Sequence, residues 1–247
     1  MRKHIMHTVI SIFLLSIFGS FVQRVTGFGF GIFIMTVLPF LVPSYGEATT
    51  LSGLLALSTS LAVSIRMRRY LSWRKVLPVL AIFAVVSTLS IFCLKRMDEV
   101  LLKRILGVVL IIISIYFAFF SKHIKIPSTV PAQAATGTLS GLMGGFFGMQ
   151  GPPVVLYFIS TAKDKNEYMA LAQTFFVIGN IFMTIVRGFN GFLTPAVGRG
   201  YLYGIGGVLI GMSLGAFVFR RIPNRIFRYI VYAYIAVSGV IILATAH

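Results

Sequence analysis

Two glycine-rich interruptions inside bilayer-length apolar runs constrain this chain more than any other feature. The first is Gly27–Gly31, GFGFG; the second is Gly141–Pro153, GLMGGFFGMQGPP. Glycine costs roughly 1 kcal/mol in a helix interior and proline about 3. In hydrocarbon the freed amides and carbonyls add a further penalty unless something satisfies them, so irregular backbone at membrane depth is expected only where protein wraps it or a wet cavity reaches it. Two such breaks at matching places in two halves point to a transporter's substrate site.

The surrounding composition is that of a membrane protein. The chain is 57% hydrophobic and 11% charged, against roughly 25% charged in a soluble domain. Eight apolar segments approach or exceed the roughly 17 to 25 residues of a membrane span. They are Thr8–Val25, Ala48–Ile65, Val76–Leu94, Leu101–Phe120, Pro131–Phe147, Tyr168–Val186, Tyr201–Phe219 and Ile226–Ala246. Two shorter stretches, Ile32–Val42 and Pro152–Ser160, follow the breaks. The expected fold is an all-α polytopic membrane protein, with eight long transmembrane helices, two short half-helices and the lipid bilayer as solvent.

The net charge of +17 sits mostly at segment ends, as in Arg66, Arg68, Arg69, Arg74 and Lys75. That placement reads as anchoring to anionic headgroups and argues against nucleic acid. The single Cys93 excludes an internal disulfide and any cysteine-rich metal site. Met1–His7 is basic and precedes an apolar run, but no small-x-small cleavage site follows, so it is read as the start of an uncleaved first helix.

Self-comparison divides the chain into a first repeat over residues 1–120, a linker over 121–130 and a second repeat over 131–247. Gly148 lies 121 residues after Gly27, which places GFGFG on GMQGP. Glu47 and Glu167 each open the next long helix, and Lys95-Arg96 meets Arg220-Arg221 further on. The pieces flanking the first break total about 35 residues, roughly 52 Å as one helix at 1.5 Å per residue. That exceeds the bilayer core, so the chain folds back at the break. If the short piece returns across the membrane, the halves are inverted; if it only dips in, they are parallel. Charge favours inversion, because Arg66–Lys75 holds five bases and the matching stretch from Arg187 to Arg199 holds two.

Small residues four apart let membrane helices pack closely, and Gly207, Gly211 and Gly215, like Gly137, Gly141 and Gly145, are read that way. Gly27, Gly29 and Gly31 are not, because residues two apart do not share a helix face; nor are Gly148, Gln150, Gly151 and Pro152, and both clusters are read as an open-backbone site, with simple tight turns as the alternative. Helix ends meeting at such breaks direct free N–H groups into the gap, which suits an anion. Ser52, Thr59 and Arg66, two turns apart on one helix face, match Gln173, Asn180 and Arg187 in the second half. The four uncharged members are expected to line the pathway, with interhelical hydrogen bonding as the alternative. The two arginines close their segments and are read as interfacial anchors. Arg24, beside the first break, is either a counter-charge for an anion or a snorkelling anchor. Glu47 and Glu167 are weak candidates for coupling-ion sites, since a carboxylate at a helix start is favoured by the dipole in any case.

Several chemistries have no counterpart here. There is no GxxxxGK[ST] loop, GFGFG is not set in a strand–helix–strand unit, and His4, His7, His123 and His247 lie at the termini or in the linker. No catalytic base is visible inside a segment, so an enzyme is not expected, and no cofactor or metal is implied.

Val25–Pro43, VTGFGFGIFIMTVLPFLVP, and Ala135–Phe158, ATGTLSGLMGGFFGMQGPPVVLYF, resemble the sulfite exporter TauE/SafE family of membrane transporters. With the basic-pair helices the resemblance covers nearly the whole chain. It implies transport of a small sulfur-containing anion (sulfite, sulfoacetate or another organosulfonate) across the cytoplasmic membrane. The second motif departs from the family's more glycine-rich form in Met149-Gln150 and the double proline, which makes Gln150 a candidate selector. The expectation is a secondary transporter, an exporter working by alternating access, with import of the same or another small anion as the rival. An intramembrane enzyme or a scaffold subunit is the rival from another class. Substrate would meet amides near Gly29–Gly31 and Gln150–Gly151, with Gln173, Asn180 and Arg24 as side-chain donors. A homo-oligomer is left open by the sequence.

Overall fold

The computed structural model describes residues 2–116, 126–218, 236–237 and 239–244. Among these residues there is no strand. Nine helices are bounded as α1 Arg2–Thr26, α2 Phe30–Ile34, α3 Tyr45–Met67, α4 Trp73–Leu94, α5 Glu99–Ile115, α6 Val130–Phe147, α7 Gly151–Thr161, α8 Lys165–Phe189 and α9 Pro195–Val218. Residues 236–237 and 239–244 are also helical. Short 3-10 turns follow α2 at Leu38–Phe40 and α3 at Arg68–Tyr70. Among the described residues, five helices are long and apolar enough to cross a membrane by length and composition: those holding Met6–Thr26, Tyr45–Tyr70, Trp73–Leu94, Lys165–Phe189 and Pro195–Phe217. The Pro131–Phe147 segment appears as α6, and the described part of Leu101–Phe120 lies in α5. Most of the Ile226–Ala246 segment, residues 121–125 of the linker and the second basic pair lie outside the described residues.

The long helices begin where the sequence supplies a cap. Ser44 and Glu47 form a reciprocal capping box at α3, and Asp164 accepts from the amides of Asn166 and Glu167 at α8. Asp98 does the same for Leu101 at α5. Large apolar side chains such as Leu77, Val85, Leu89 and Phe92 on α4 and Leu202 and Leu209 on α9 stay on the outside, as lipid-facing surface requires.

Packing crosses between the halves. The most extensive contacts are α1 on α9, α4 on α6 and α3 on α8. Gly207, Gly211 and Gly215 lie against Phe13, Ile17 and Arg24 in that order, so α9 and α1 run parallel. Gly137, Gly141 and Gly145 lie against Ile82, Val86 and Ser90, so α6 and α4 run parallel as well. Both glycine stripes therefore serve close packing, where a Cβ would collide with the neighbour. In contrast, Ser64 on α3 meets Thr174 on α8, while Gly53 lies by Asn180 and Arg187. These two matching helices are antiparallel at the centre. Crossing extends to the carboxylates: Glu47 accepts from Thr194 at the start of α9 at 2.6 Å, and Glu167 pairs with Lys75 in the first turn of α4 at 2.8 Å.

Candidate functional site

The two breaks are built alike. At the first, α1 ends at Thr26 and the Gly27 amide donates to the Gln23 carbonyl at 2.8 Å. At the second, α6 ends at Phe147 and the Gly148 amide donates to the Gly144 carbonyl at 3.0 Å, with Met149 N–H reaching back to Met143 O. The first of these is the αL C-cap bond, whose αL position glycine fills at no steric cost. Gly27, Gly29 and Gly148 have φ of +86°, +100° and +66°. After each break a short helix starts, α2 at Phe30 and α7 at Gly151. Pro152 and Pro153 occupy the first turn of α7, where no amide hydrogen is needed; they start this helix and do not interrupt it.

Freed backbone groups find partners in other helices. Thr26 Oγ1 donates to Phe28 O at 2.6 Å, and Gln173 Nε2 on α8 donates to Gly27 O at 2.6 Å. Gln23 Nε2 donates to Ser60 Oγ at 2.8 Å and lies 3.4 Å from Gln173 Oε1. Arg187 serves the second break. Its Nη2 donates to Gly144 O at 2.7 Å and to Gly145 O at 3.2 Å, and its Nη1 to Thr49 O on α3 at 3.1 Å. A cation at the C-terminal carbonyls of α6 is favoured by the helix dipole.

Arg187 is 1% exposed, which corrects the reading of it as an interfacial anchor. The carbonyls released by the glycine break draw the guanidinium inward. Arg66, its counterpart in the first half, is exposed.

The breaks meet. A Cβ on Gly31 would stand 2.5 Å from the Gly148 carbonyl oxygen. Between them is a cavity with about 30 Å³ open to water centres, lined by Gly29–Ile32, Gly148–Gly151, Gln23, Ala56, Ser60, Phe176 and Asn180. That is room for about two waters. No side chain in the lining is charged. Gln150 Nε2 lies 3.4 Å from Phe176 O, while its buried Oε1 has no partner and faces Gly179. A smaller cavity of about 10 Å³ lies beside it, lined by Ser20, Gln23, Arg24, Thr59, Val63, Met169, Gln173 and Met212. Gln23 borders both.

Of the residues expected at the site, Gly29, Gly31, Gly148, Gln150, Gly151 and Asn180 line the larger cavity. Arg24, half-buried, lines the smaller one with Thr59 and Gln173. Thr59 Oγ1 bonds Ala56 O within its own helix. Gly27 contributes its carbonyl to Gln173, Pro152 is buried in α7, and Ser52 is buried with Oγ unpartnered; these three line neither cavity. Glu47 and Glu167 are held in caps and by Thr194 and Lys75, away from both cavities. Gln23, Ser60 and Arg187 were missed. The cost of an amide in an apolar run, which singled out Gln173 and Asn180, would have found Gln23 too.

Over 215 residues the chain is 25% identical to a protein of Cupriavidus necator named as a probable sulfite/organosulfonate exporter TauE, covering 83% of this chain and 80% of that protein. It is 28% identical over 217 residues to a probable membrane transporter protein of Methanocaldococcus jannaschii, covering 82% and 77%. No solved structure matches it. The sequence model of the sulfite exporter TauE/SafE family matches residues 12–242. The chain is a multi-pass integral membrane protein belonging to the TauE/SafE family of membrane transporters.

Proposed function

We propose that this protein exports a small sulfur-containing anion, sulfite or an organosulfonate, across the cytoplasmic membrane by alternating access between two inverted halves. The observation that carries the reading is the meeting of the two glycine breaks at a small polar cavity beside the antiparallel α3–α8 pair. Matching helices related by a two-fold axis run antiparallel only when that axis lies in the membrane plane. This supports inversion, in which the short piece after each break returns across the membrane beside the eight long helices. The C. necator relative's name supports the outward direction and the substrate class.

Substrate binds where backbone amides of Gly29–Gly31 and Gln150–Gly151 face the cavity, with the Asn180 and Gln150 amides as further donors. Pro152 and Pro153 remove two amide donors from the second break, so Gln150 carries more of the selection there.

Purified protein in proteoliposomes should move labelled sulfite and sulfoacetate above the rate of empty vesicles, with imposed pH and sodium gradients identifying the driving ion. Flux indistinguishable from empty vesicles under every gradient would remove this reading. Accumulation only toward the cytoplasmic face would reassign the direction.

A further inference from the structure

The two halves match in sequence and in the hydrogen bonds of their breaks, but the two sides of the cavity are not closed alike. On one side Arg187 is buried, holding Gly144 O and Gly145 O at the end of α6 to Thr49 O on α3. Stepping back 121 residues from Gly144 and Gly145 leads to Gln23 and Arg24 at the end of α1, and from Arg187 to Arg66. The Gln23 carbonyl accepts the Gly27 amide just as the Gly144 carbonyl accepts the Gly148 amide. Each therefore keeps a second lone pair. On this side that lone pair faces no arginine: Arg66 is exposed, and the smaller cavity lies between Gln23 and Arg24 on α1 and Thr59 and Val63 on α3. Thr59, Val63 and Arg66 are spaced by four and three, so they share one face of α3. The cavity thus lies in the place that corresponds to the Arg187 guanidinium, one turn from an arginine that can turn into it.

We propose that Arg66 is the counterpart lock to Arg187, a positioning residue that closes the other side of the transport cycle. In the opposite-facing state Arg66 enters the smaller cavity and donates to the carbonyls of Gln23, Arg24 and Ala170, while Arg187 releases Gly144, Gly145 and Thr49. Arg24 stands where the other half has Gly145, so entry of Arg66 brings two guanidiniums together. An anion between them offsets that repulsion, which ties closure on this side to loaded substrate. The inference rests on the alternating-access reading above.

The test uses the full chain in proteoliposomes with Cys93→Ser and Val63→Cys, so that a water-soluble maleimide reports access to the smaller cavity. Sulfoacetate should slow labelling of position 63 when Arg66 is present. Arg66→Gln should abolish that protection and cut flux by about tenfold or more, the loss of one charge-assisted hydrogen bond. Arg66→Lys should restore part of both, and Arg68→Gln and Arg69→Gln should leave both unchanged. Protection and flux equal to the parent in Arg66→Gln would overturn the lock and leave the transport reading standing. Equal loss of flux in all three glutamine variants would overturn it in favour of anchoring at the interface. A parent protein with no flux would remove the transport reading, and the lock with it.

Discussion

Gly31 lies against the carbonyl of Gly148, so that the two glycine breaks touch backbone to backbone; a methyl group at position 31 would stand 2.5 Å from that oxygen. The neighbour is main chain, held by the capping bonds at the end of α6, and cannot move aside as a side chain would. Gly31→Ala should therefore lower stability by about 1–3 kcal/mol, the range for overpacking, and lower flux more than Gly151→Ala, where an added Cβ meets only ordinary contacts. Thermal unfolding in detergent and flux per folded molecule separate the two effects.

Gln150 borders the cavity through a weak 3.4 Å hydrogen bond and an unpartnered oxygen, so its amide contributes little to the fold. Gln150→Leu should leave the melting temperature near the parent's and depress sulfonate flux. Gly211 faces the Ile17 carbonyl and Ser20 Oγ, with no space for a Cβ. Gly211→Leu should instead reduce the yield of folded protein. Equal loss of yield in both would make the break merely structural.

Gln173 ties α8 to the first break through the Gly27 carbonyl. Gln173→Leu leaves that buried acceptor unsatisfied, at a cost of about 1–3 kcal/mol, and frees Gln23 from one of its partners. The expected outcome is a lower melting temperature together with a faster leak of substrate, measured as efflux from loaded vesicles without a gradient.

Arg187→Met leaves the Gly145 carbonyl without its donor and separates α6 from α3, costing about 1–3 kcal/mol for the unsatisfied group. Arg187→Lys keeps the charge but reaches fewer of the three carbonyls, so it should fall between the parent and Arg187→Met in thermal midpoint.

Much of this arrangement was legible because it follows from what single residues cannot do. A residue with φ of +66° or +86° in an apolar run is best a glycine, and two prolines in succession fit only a helix start, so the ends of α1 and α6 could be read directly. The α3 and α8 pairing was foreshadowed by polar residues two turns apart on both. The depth of Arg187 was not legible. Val186, Gly188 and Phe189 around it look like the end of a span, and its three acceptors come from α3 and α6, which sequence spacing does not bring near it. The glycine stripes announced that α6 and α9 pack closely without saying on what; their partners proved to be in the other half.

Glu47 and Glu167 were the only acids considered for ion coupling, and both are engaged in helix starts away from the cavities. Glu167→Gln should lower the melting temperature slightly through loss of the Lys75 pair, worth about 0–1 kcal/mol at a partly exposed site. The response of flux to an imposed pH gradient should be unchanged.

The crossed packing has a consequence for how the protein is made. Among the described helices α1 is made well before α9, yet α9 is the helix that its Ser16 and Ser20 face. α4 likewise waits for α6. The earlier helices therefore reside in lipid with these packing faces open until α6 and α9 arrive.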